Sequence, residues 1–335
     1  VNLPEQKARL LDLLQRSLPE DTRPFHRLAE ETGSDPETCL RDARSLKEEG
    51  IIRDISGIFN AESLGYRTTL AAFRVPEKDL SRAAEAVNSH PGVSHNYRRN
   101  HEYNLWFTLA EESDDDLEES LEALAGMAGA GDRLTLRTER LLKIGVHFPA
   151  GGKGKGSHFS GERPTDVSLD GKRREAVRLL QIDMPLTERP FDRLAEGSAA
   201  IGDGEELVQL MKELKNQRIM RRYAAVLRHR KAGYTHNAMT VWKPADISNE
   251  ALEPFVREPA VSHAYLRTVY PGRWEYPLFT MIHARSREEL EEIINKLAGE
   301  TGIQDYRALE TLEEYRKQRV RYFSDEFAKW KEEHR

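Results

Sequence analysis

Apolar residues recur every three or four positions along the first fifty residues. Leu10, Leu11, Leu13, Leu14 and Leu18 predict a helix within residues 4–18, and Phe25 to Thr32 predicts a second, short one. Gly33-Ser34-Asp35-Pro36 is a turn with a helix-capping signal. It opens a third helix from Glu37 to Glu49, which Gly50 ends. Ile51 to Phe59 then reads as strand. Three short helices followed by a strand pair are the plan of a winged helix-turn-helix. From Tyr66 the period changes. Tyr66 to Val75 is a strand, Glu77 to Ser89 a helix, and a hairpin follows; Asp114 to Met127 is a helix, and Arg133 to Phe148 holds one or two strands. The order β-α-β-β-α-β predicts a ferredoxin-like unit.

The whole plan then recurs. Arg23-Pro24-Phe25-His26-Arg27-Leu28-Ala29-Glu30 matches Arg189-Pro190-Phe191-Asp192-Arg193-Leu194-Ala195-Glu196, and Gly65-Tyr66 matches Gly233-Tyr234. Lys172 to Gln181, Pro190 to Ala195, Gly204 to Gln217 and Ile219 to Arg228 repeat the helices and strand. A repeat of this length is a duplicated domain pair rather than a solenoid. The expected fold class is therefore α+β, a tandem duplication of winged helix-turn-helix plus ferredoxin-like units. Residues 1–60 and 171–231 are the helix-turn-helix-like domains, and 61–150 and 232–323 the ferredoxin-like ones. Residues 151–170 form a Gly- and Lys-containing linker. Residues 324–335 are a charged tail, at the end of a stretch from Glu313 that reads as amphipathic helix.

The first hairpin breaks the usual pattern of a half-buried strand. Alternation puts Val93, His95, Tyr97 and Arg99 on one face, with Ser94, Asn96 and Arg98 on the other; Asn100-His101-Glu102 makes the turn before Tyr103 to Leu109. Burying an imidazole, a phenol and a guanidinium unpaired would cost on the order of several kcal/mol. That face is either solvated or meets a polar, anionic ligand. Val261-Ser262-His263-Ala264-Tyr265-Leu266-Arg267 repeats it, His263 standing 168 residues after His95. After a longer turn holding Pro271-Gly272-Arg273-Trp274, Tyr276-Pro277-Leu278-Phe279-Thr280 answers Tyr103-Asn104-Leu105-Trp106-Phe107. A lone histidine here would read as one paired on a sheet surface. The concentration of His, Tyr and Arg, copied in part, favours a site. Arg228-His229-Arg230-Lys231 reads either as a solvated wing or as a binder of carboxylates. Trp106, Phe107 and Trp242 read as core or as a flat wall for a flat ligand. His26 and His158 read as surface residues.

Composition narrows the classes. The 335 residues suffice for several domains, and 32% charged with 8% aromatic residues describes a globular chain. A net charge of −6 gives no global pull toward nucleic acid or membrane. In the would-be recognition helix Arg41, Arg44 and Lys47 face Glu37, Asp42, Glu48 and Glu49. In its copy Lys212, Lys215 and Arg218 stand beside Glu205, Glu206 and Glu213. Neither is a basic footprint for phosphates. The one cysteine, Cys39, forms no intrachain disulfide and offers no thiolate cluster, which fits a cytoplasmic setting. The N-terminus does not read as a signal peptide, and no apolar run approaches the roughly 20 residues of a membrane span. Walker, dinucleotide, Gly-x-Ser-x-Gly and His-Glu-x-x-His motifs are absent.

The plan of helix-turn-helix plus ferredoxin-like unit resembles the Lrp/AsnC family of regulators. A sharper resemblance is to the siroheme decarboxylase family. Gly92-Val93-Ser94-His95-Asn96-Tyr97-x-Arg99-x-His101-x-Tyr103-Asn104-x-Trp106-Phe107-Thr108 resembles the signature of one subunit type. Val226-Leu227-Arg228-His229-Arg230-Lys231-Ala232-Gly233-Tyr234 and Trp274-Glu275-Tyr276-Pro277-Leu278-Phe279-Thr280-Met281-Ile282-His283 resemble the other, with Pro277 standing where the first hairpin has Asn104. The likeness covers nearly the whole chain, so it implies a natural fusion of both subunits, of the kind met in heme d1 biosynthesis. It implies a carboxy-lyase that removes carbon dioxide from two acetate side chains of siroheme to give 12,18-didecarboxysiroheme. The conjugated ring can take the electron pair, so no external cofactor is required beyond the iron tetrapyrrole itself; a bound heme is the open alternative.

On that resemblance the expected catalytic residues are His95, His101, His229 and His263, with His95 or His101 as general acid. His101 or His263 is the expected iron ligand. Tyr97, Arg98, Arg99, Tyr103, Asn104, Trp106, Arg228, Arg230, Tyr265, Arg267, Arg273, Trp274 and Tyr276 are expected to hold the substrate, arginines on its carboxylates. The expected partners are siroheme, its decarboxylated product and other tetrapyrrole-pathway enzymes, with neither membrane nor DNA. The tandem units are expected to pair within one chain or across a homodimer. The alternatives are an Lrp/AsnC-type transcription regulator binding DNA and a small effector, and a heme-binding sensor.

Overall fold

The computed structural model describes residues 3–144, 169–227 and 236–335. The first copy runs α1 (Glu5–Arg16), α2 (Pro24–Thr32), α3 (Pro36–Glu48), β1 (Ile52–Phe59), β2 (Arg67–Arg74), α4 (Leu80–Ser89), β3 (Val93–Arg99), β4 (Leu105–Glu111), α5 (Asp114–Ala128) and β5 (Asp132–Ile144). The second runs α6 (Gly171–Leu180), α7 (Pro190–Ala195), α8 (Gly204–Asn216), β6 (Met220–Leu227), β7 (His236–Trp242), α9 (Asn249–Arg257), β8 (Val261–Arg267), β9 (Leu278–Ala284), α10 (Arg287–Thr301) and β10 (Tyr306–Lys317), followed by α11 (Glu326–His334). The chain folds as two compact units, one from the helix-turn-helix segments of both copies and one from their ferredoxin-like segments.

In the helical unit Asp35 and Asp203 cap α3 and α8, each carboxylate accepting from a backbone N–H three residues on. The expected strand pair within each copy is corrected here. Among the described residues each copy supplies a single strand, and β1 pairs antiparallel with β6 along Ile52–Phe59 and Met220–Leu227. A lone strand needs a partner for its backbone groups, and the duplicated sequence provides one.

In the other unit each copy forms a four-stranded sheet, in the orders β5-β2-β4-β3 and β10-β7-β9-β8. The sheets join edge to edge through β5·β8 and β10·β3, closing an eight-stranded barrel with no open edge. The strands are buried on both faces. Ala71, Phe73, Phe107 and Leu109 pack outward with α4 and α5 residues such as Ala84, Val87, Leu117 and Leu121. Leu70, Ala72, Trp106, Leu134, Leu136, Met239, Val241, Phe279 and Leu309 form the interior cluster, with Tyr103 and Trp274 from the hairpin turns.

The expected helix from Glu313 is also corrected, since β10 continues as strand to Lys317. Only α11 is helical, and it packs on the first copy. Trp330 joins the α4/α5 cluster, and Arg335 donates to the buried Glu111 at 3.0 Å. Among the described residues no helix is long and apolar enough to cross a membrane.

Candidate active site in the barrel interior

Strand register decides which face of β3 and β8 looks inward. Directly paired residues share a face. His95 pairs with Thr108 and Tyr97 with Trp106; His263 pairs with Met281 and Tyr265 with Phe279. Since Trp106 and Phe279 belong to the interior cluster, the histidine–tyrosine–arginine face of each hairpin points into the barrel. With eight strands in the ring, β3 and β8 lie four places apart, on opposite walls.

Both arginines are buried, Arg99 at 4% and Arg267 at 9% exposure. Arg99 Nη1 donates to the Leu309 carbonyl at 2.7 Å and Thr311 Oγ1 at 3.2 Å; Arg267 Nη1 donates to the Leu136 carbonyl at 2.9 Å and Thr138 Oγ1 at 3.0 Å. Each guanidinium lies over the ring of its own strand's tyrosine, 5.3 Å from Tyr97 and 4.6 Å from Tyr265. Neither forms an ion pair among the described residues, and both Nε–H groups lack a hydrogen-bond partner. Burial brings both down to about 10, the tyrosines acting weakly the other way, so both stay charged at neutral pH. Two buried cations without carboxylate partners are costly unless an anion arrives.

The same hairpins carry the histidines. His95 Nδ1 is 2.9 Å from Ser94 Oγ, which is 2.6 Å from Thr108 Oγ1; His263 Nδ1 is 2.9 Å from Ser262 Oγ. Each imidazole stacks along its tyrosine, with centroids 6.1 Å and 6.2 Å apart. His101, at the hairpin turn, stands 5.5 Å from the Trp274 ring and 6.0 Å from that of Tyr103. Its Nδ1 accepts from the Tyr103 amide at 3.1 Å, which leaves the proton of the neutral ring on Nε2. Burial, then the positive charge of Arg307, lowers its pKa against the pull of Glu102. Trp106 and Trp274 meet at 5.2 Å, and Phe279 extends the aromatic wall.

Other expected residues are placed elsewhere. Arg98 points to the opposite face of β3 and pairs with Glu77 at 2.6 Å. Asn104 is spent on the backbone of Val75, accepting its N–H at 3.0 Å and donating to its carbonyl at 2.8 Å. Arg273 pairs with Asp132, which also accepts from the Tyr103 hydroxyl at 2.7 Å. Tyr276 donates to Asp305 and accepts from Arg307. Arg228, His229, Arg230 and His158 lie outside the described residues. His90, from the same sequence run, is buried against Glu111 at 3.0 Å, away from the hairpin's inner face.

Two residues escaped the sequence reading. His283 Nε2 lies 3.0 Å from Ser262 Oγ, and Lys317 stands opposite His95 in register. Burial, then Lys317, brings His283 down to about 4. Alternation from Phe279 through Met281 already places His283 inside; the signal was there in the period of two.

The comparisons with known proteins agree with one another. An AsnC-like ligand binding domain matches residues 63–143 and 231–316, and a siroheme decarboxylase NirDL-like HTH domain matches 7–53. The chain is 36% identical over 324 residues to a siroheme decarboxylase of Hydrogenobacter thermophilus, covering 96% of each. It is 36% identical over 291 residues to a siroheme decarboxylase NirDL subunit of Paracoccus pantotrophus, covering 85% of this chain and 87% of that one. The separate alpha subunit of the siroheme decarboxylase of Oleidesulfovibrio alaskensis is 38% identical over 42% of this chain and 85% of its own length. Crystal structures of the siroheme decarboxylase NirDL, alone and in co-complex with an iron-uroporphyrin III analogue, superpose with a TM-score of 0.78 at 32% identity, covering 98% of both chains. With an AsnC-like ligand binding domain matching both ferredoxin-like segments, a siroheme decarboxylase NirDL-like helical domain and near full-length relatives, this chain belongs to the siroheme decarboxylase family of carboxy-lyases.

Proposed function

We propose that this chain removes carbon dioxide from two acetate side chains of siroheme, giving 12,18-didecarboxysiroheme, inside the barrel. The observation that carries the reading is the pair of buried guanidinium groups, Arg99 and Arg267, on opposite walls without carboxylate partners. A flat macrocycle edged with carboxylates supplies anions on opposite sides at once, and Trp106, Trp274 and Phe279 supply a wall for its plane. The iron-uroporphyrin analogue held by the related crystal structure is a ligand of that shape and charge.

Decarboxylation breaks the bond between the methylene and carboxylate carbons. The electron pair passes into the conjugated ring of the substrate, carbon dioxide leaves, and one proton converts the methylene to methyl. His101 is placed for the donor's task by the Tyr103 amide on its Nδ1; to give a proton from Nε2 it must be the imidazolium, so Nδ1 takes up a proton and releases that amide before the transfer. The same hydrogen bond favours His263 over His101 as ligand of the substrate iron, since a ligating nitrogen must lack a proton. His95, beside Ser94, is the second donor.

The regulator reading gains nothing from the helical unit. Lys47 pairs with Asp183, Arg44 donates to the Leu186 carbonyl, and Lys215 pairs with Glu20. The test is anaerobic incubation with siroheme and mass spectrometry of the extracted tetrapyrrole. Loss of two carbon dioxide units is expected; binding with unchanged mass would point to a sensor.

A further inference from the structure

The two buried arginines are held alike, but the threonines that hold them are not. Thr138 on β5 lies opposite Arg267 in register and Thr311 on β10 opposite Arg99, so both threonines share the inward face of the barrel. A threonine hydroxyl has one proton to give and two lone pairs, and a guanidinium can only donate. Each arginine therefore takes a lone pair of its threonine and leaves that threonine's proton for another acceptor. Thr311 gives its proton to Asn237 Oδ1 at 3.4 Å. Among the described residues nothing accepts the proton of Thr138, whose one hydrogen bond is the one it accepts from Arg267. The difference traces to the neighbouring strand. Asn237 precedes Ala238, which pairs with Glu310, and so stands beside Thr311. Thr68 precedes Thr69, which pairs with Arg137, and so stands beside Thr138. Where the second copy has an amide long enough to reach the hydroxyl, the first has a short, exposed side chain that makes no hydrogen bond to it.

We infer that Thr138 is a further substrate-binding residue, giving its hydroxyl proton to the carboxylate that Arg267 receives, while Thr311, its proton spent on Asn237, serves to orient Arg99. A carboxylate entering the barrel gives up water, and each lone pair stripped of water needs a donor from the protein. The Arg267 wall offers the guanidinium Nε–H, which has no partner within the chain, and the threonine O–H. The Arg99 wall offers the guanidinium alone. The inference rests on the proposed function for the identity of the anion.

The test is an equilibrium titration of the full chain and its variants with iron-uroporphyrin III. Thr138→Val and Thr311→Val are matched. Each keeps the shape of the side chain, removes one acceptor of an arginine Nη1 and leaves that nitrogen its carbonyl, Leu136 or Leu309. Only Thr138→Val also removes an O–H that a ligand can use. It should weaken binding about 10–100-fold, as for loss of a hydrogen bond to a charged group, and Thr311→Val by less than about fivefold. Thr138→Ser keeps the hydroxyl and should restore binding to within about threefold of the unmodified chain. Asn237→Leu releases the Thr311 proton, so in that background Thr311→Val should cost about as much as Thr138→Val. Thermal melts establish that each variant folds; alanine replaces valine at both threonines where one does not. Equal losses in the matched pair, no recovery in Thr138→Ser, or a Thr311→Val effect untouched by Asn237→Leu would overturn the inference. Absence of binding to the unmodified chain would overturn the proposed function itself, before any variant is compared.

Discussion

β3 and β8 began as one sequence and have diverged at a few positions. Both keep Ser, His, Tyr and Arg, both turn the His, Tyr and Arg into the barrel, and both bury the arginine against a carbonyl and a threonine of the facing copy. They differ in what lies behind the face. Arg98 on β3 reaches out to Glu77, where β8 has Leu266; Asn96 donates to the Ala84 carbonyl, where β8 has Ala264. The turns differ more. His101 closes the first hairpin, whereas the second is longer and inserts Trp274 into the interior cluster. What is kept is what an anionic ligand can feel from either wall, and what has changed is what separates one wall's chemistry from the other's. A barrel closed by two copies thus carries the same buried guanidinium on both walls and different histidine surroundings.

The largest expected effect tests that division of roles. His101→Ala should lower decarboxylation by roughly 10²–10⁴-fold, as for loss of a general acid, and leave the affinity for iron-uroporphyrin within a few-fold. Full turnover in this variant would move the donor to the repeated histidines.

The similarity of the two grips is tested next. Arg99→Met and Arg267→Met should each weaken binding of iron-uroporphyrin by about 2–5 kcal/mol in an equilibrium titration. Each should also hold or raise the midpoint of thermal unfolding, because replacing a buried, uncompensated charge by an apolar side chain is neutral or stabilising by up to about 4 kcal/mol. Unequal losses in affinity would show that one wall carries the substrate.

A smaller effect comes from Asn104, whose amide holds both the N–H and the carbonyl of Val75. Asn104→Ala leaves those buried groups unpaired and should cost roughly 1–3 kcal/mol in a denaturant titration, more than it costs in binding. Pro277, its counterpart, has no amide to lose.

The smallest effect is one of pH. His90 is pulled below its ordinary 6.5 by burial, against the opposing pull of Glu111. Burial of Glu111 would raise its carboxyl, but hydrogen bonds from His90 and Ser120 and the charge of Lys331 hold it below its ordinary 4.5. The unfolded chain therefore takes up protons more readily at both sites. Stability should fall as pH drops below about 6.5, where the unfolded imidazole protonates first, and further below 4.5 as Glu111 approaches its lowered value. His90→Asn should flatten the upper part of this dependence in thermal melts. The second copy, with Glu258 and Ala284 at the matching positions, lacks the pair.

Much of this was legible in one dimension. Helical period and capping placed α1 to α3 and α6 to α8 within a residue or two. The alternation in Val93 to Arg99 places His95, Tyr97 and Arg99 on one face and Arg98 on the other, as found; Val93, expected beside them, lies in the outer cluster with Leu109, because the register shifts between Val93 and His95. Arg98 was nevertheless grouped with the substrate arginines; its pairing with Glu77 reflects a partner twenty-one residues away that no local pattern names. That the Asn104 amide holds the Val75 backbone is equally hidden from local pattern, because an amide's partners are chosen by tertiary neighbours.

Sequence alone determined the duplication, most of the helices, the His-Tyr-Arg face of each hairpin and the family, because these depend on period, residue type and internal similarity. Only the tertiary structure decided that β1 pairs with β6, that the two sheets close into one barrel, and that Arg99 and Arg267 therefore lie buried on opposite walls. Those outcomes rest on pairings between residues far apart in the chain, where edge strands must find partners and burial turns two ordinary arginines into cations in need of an anion.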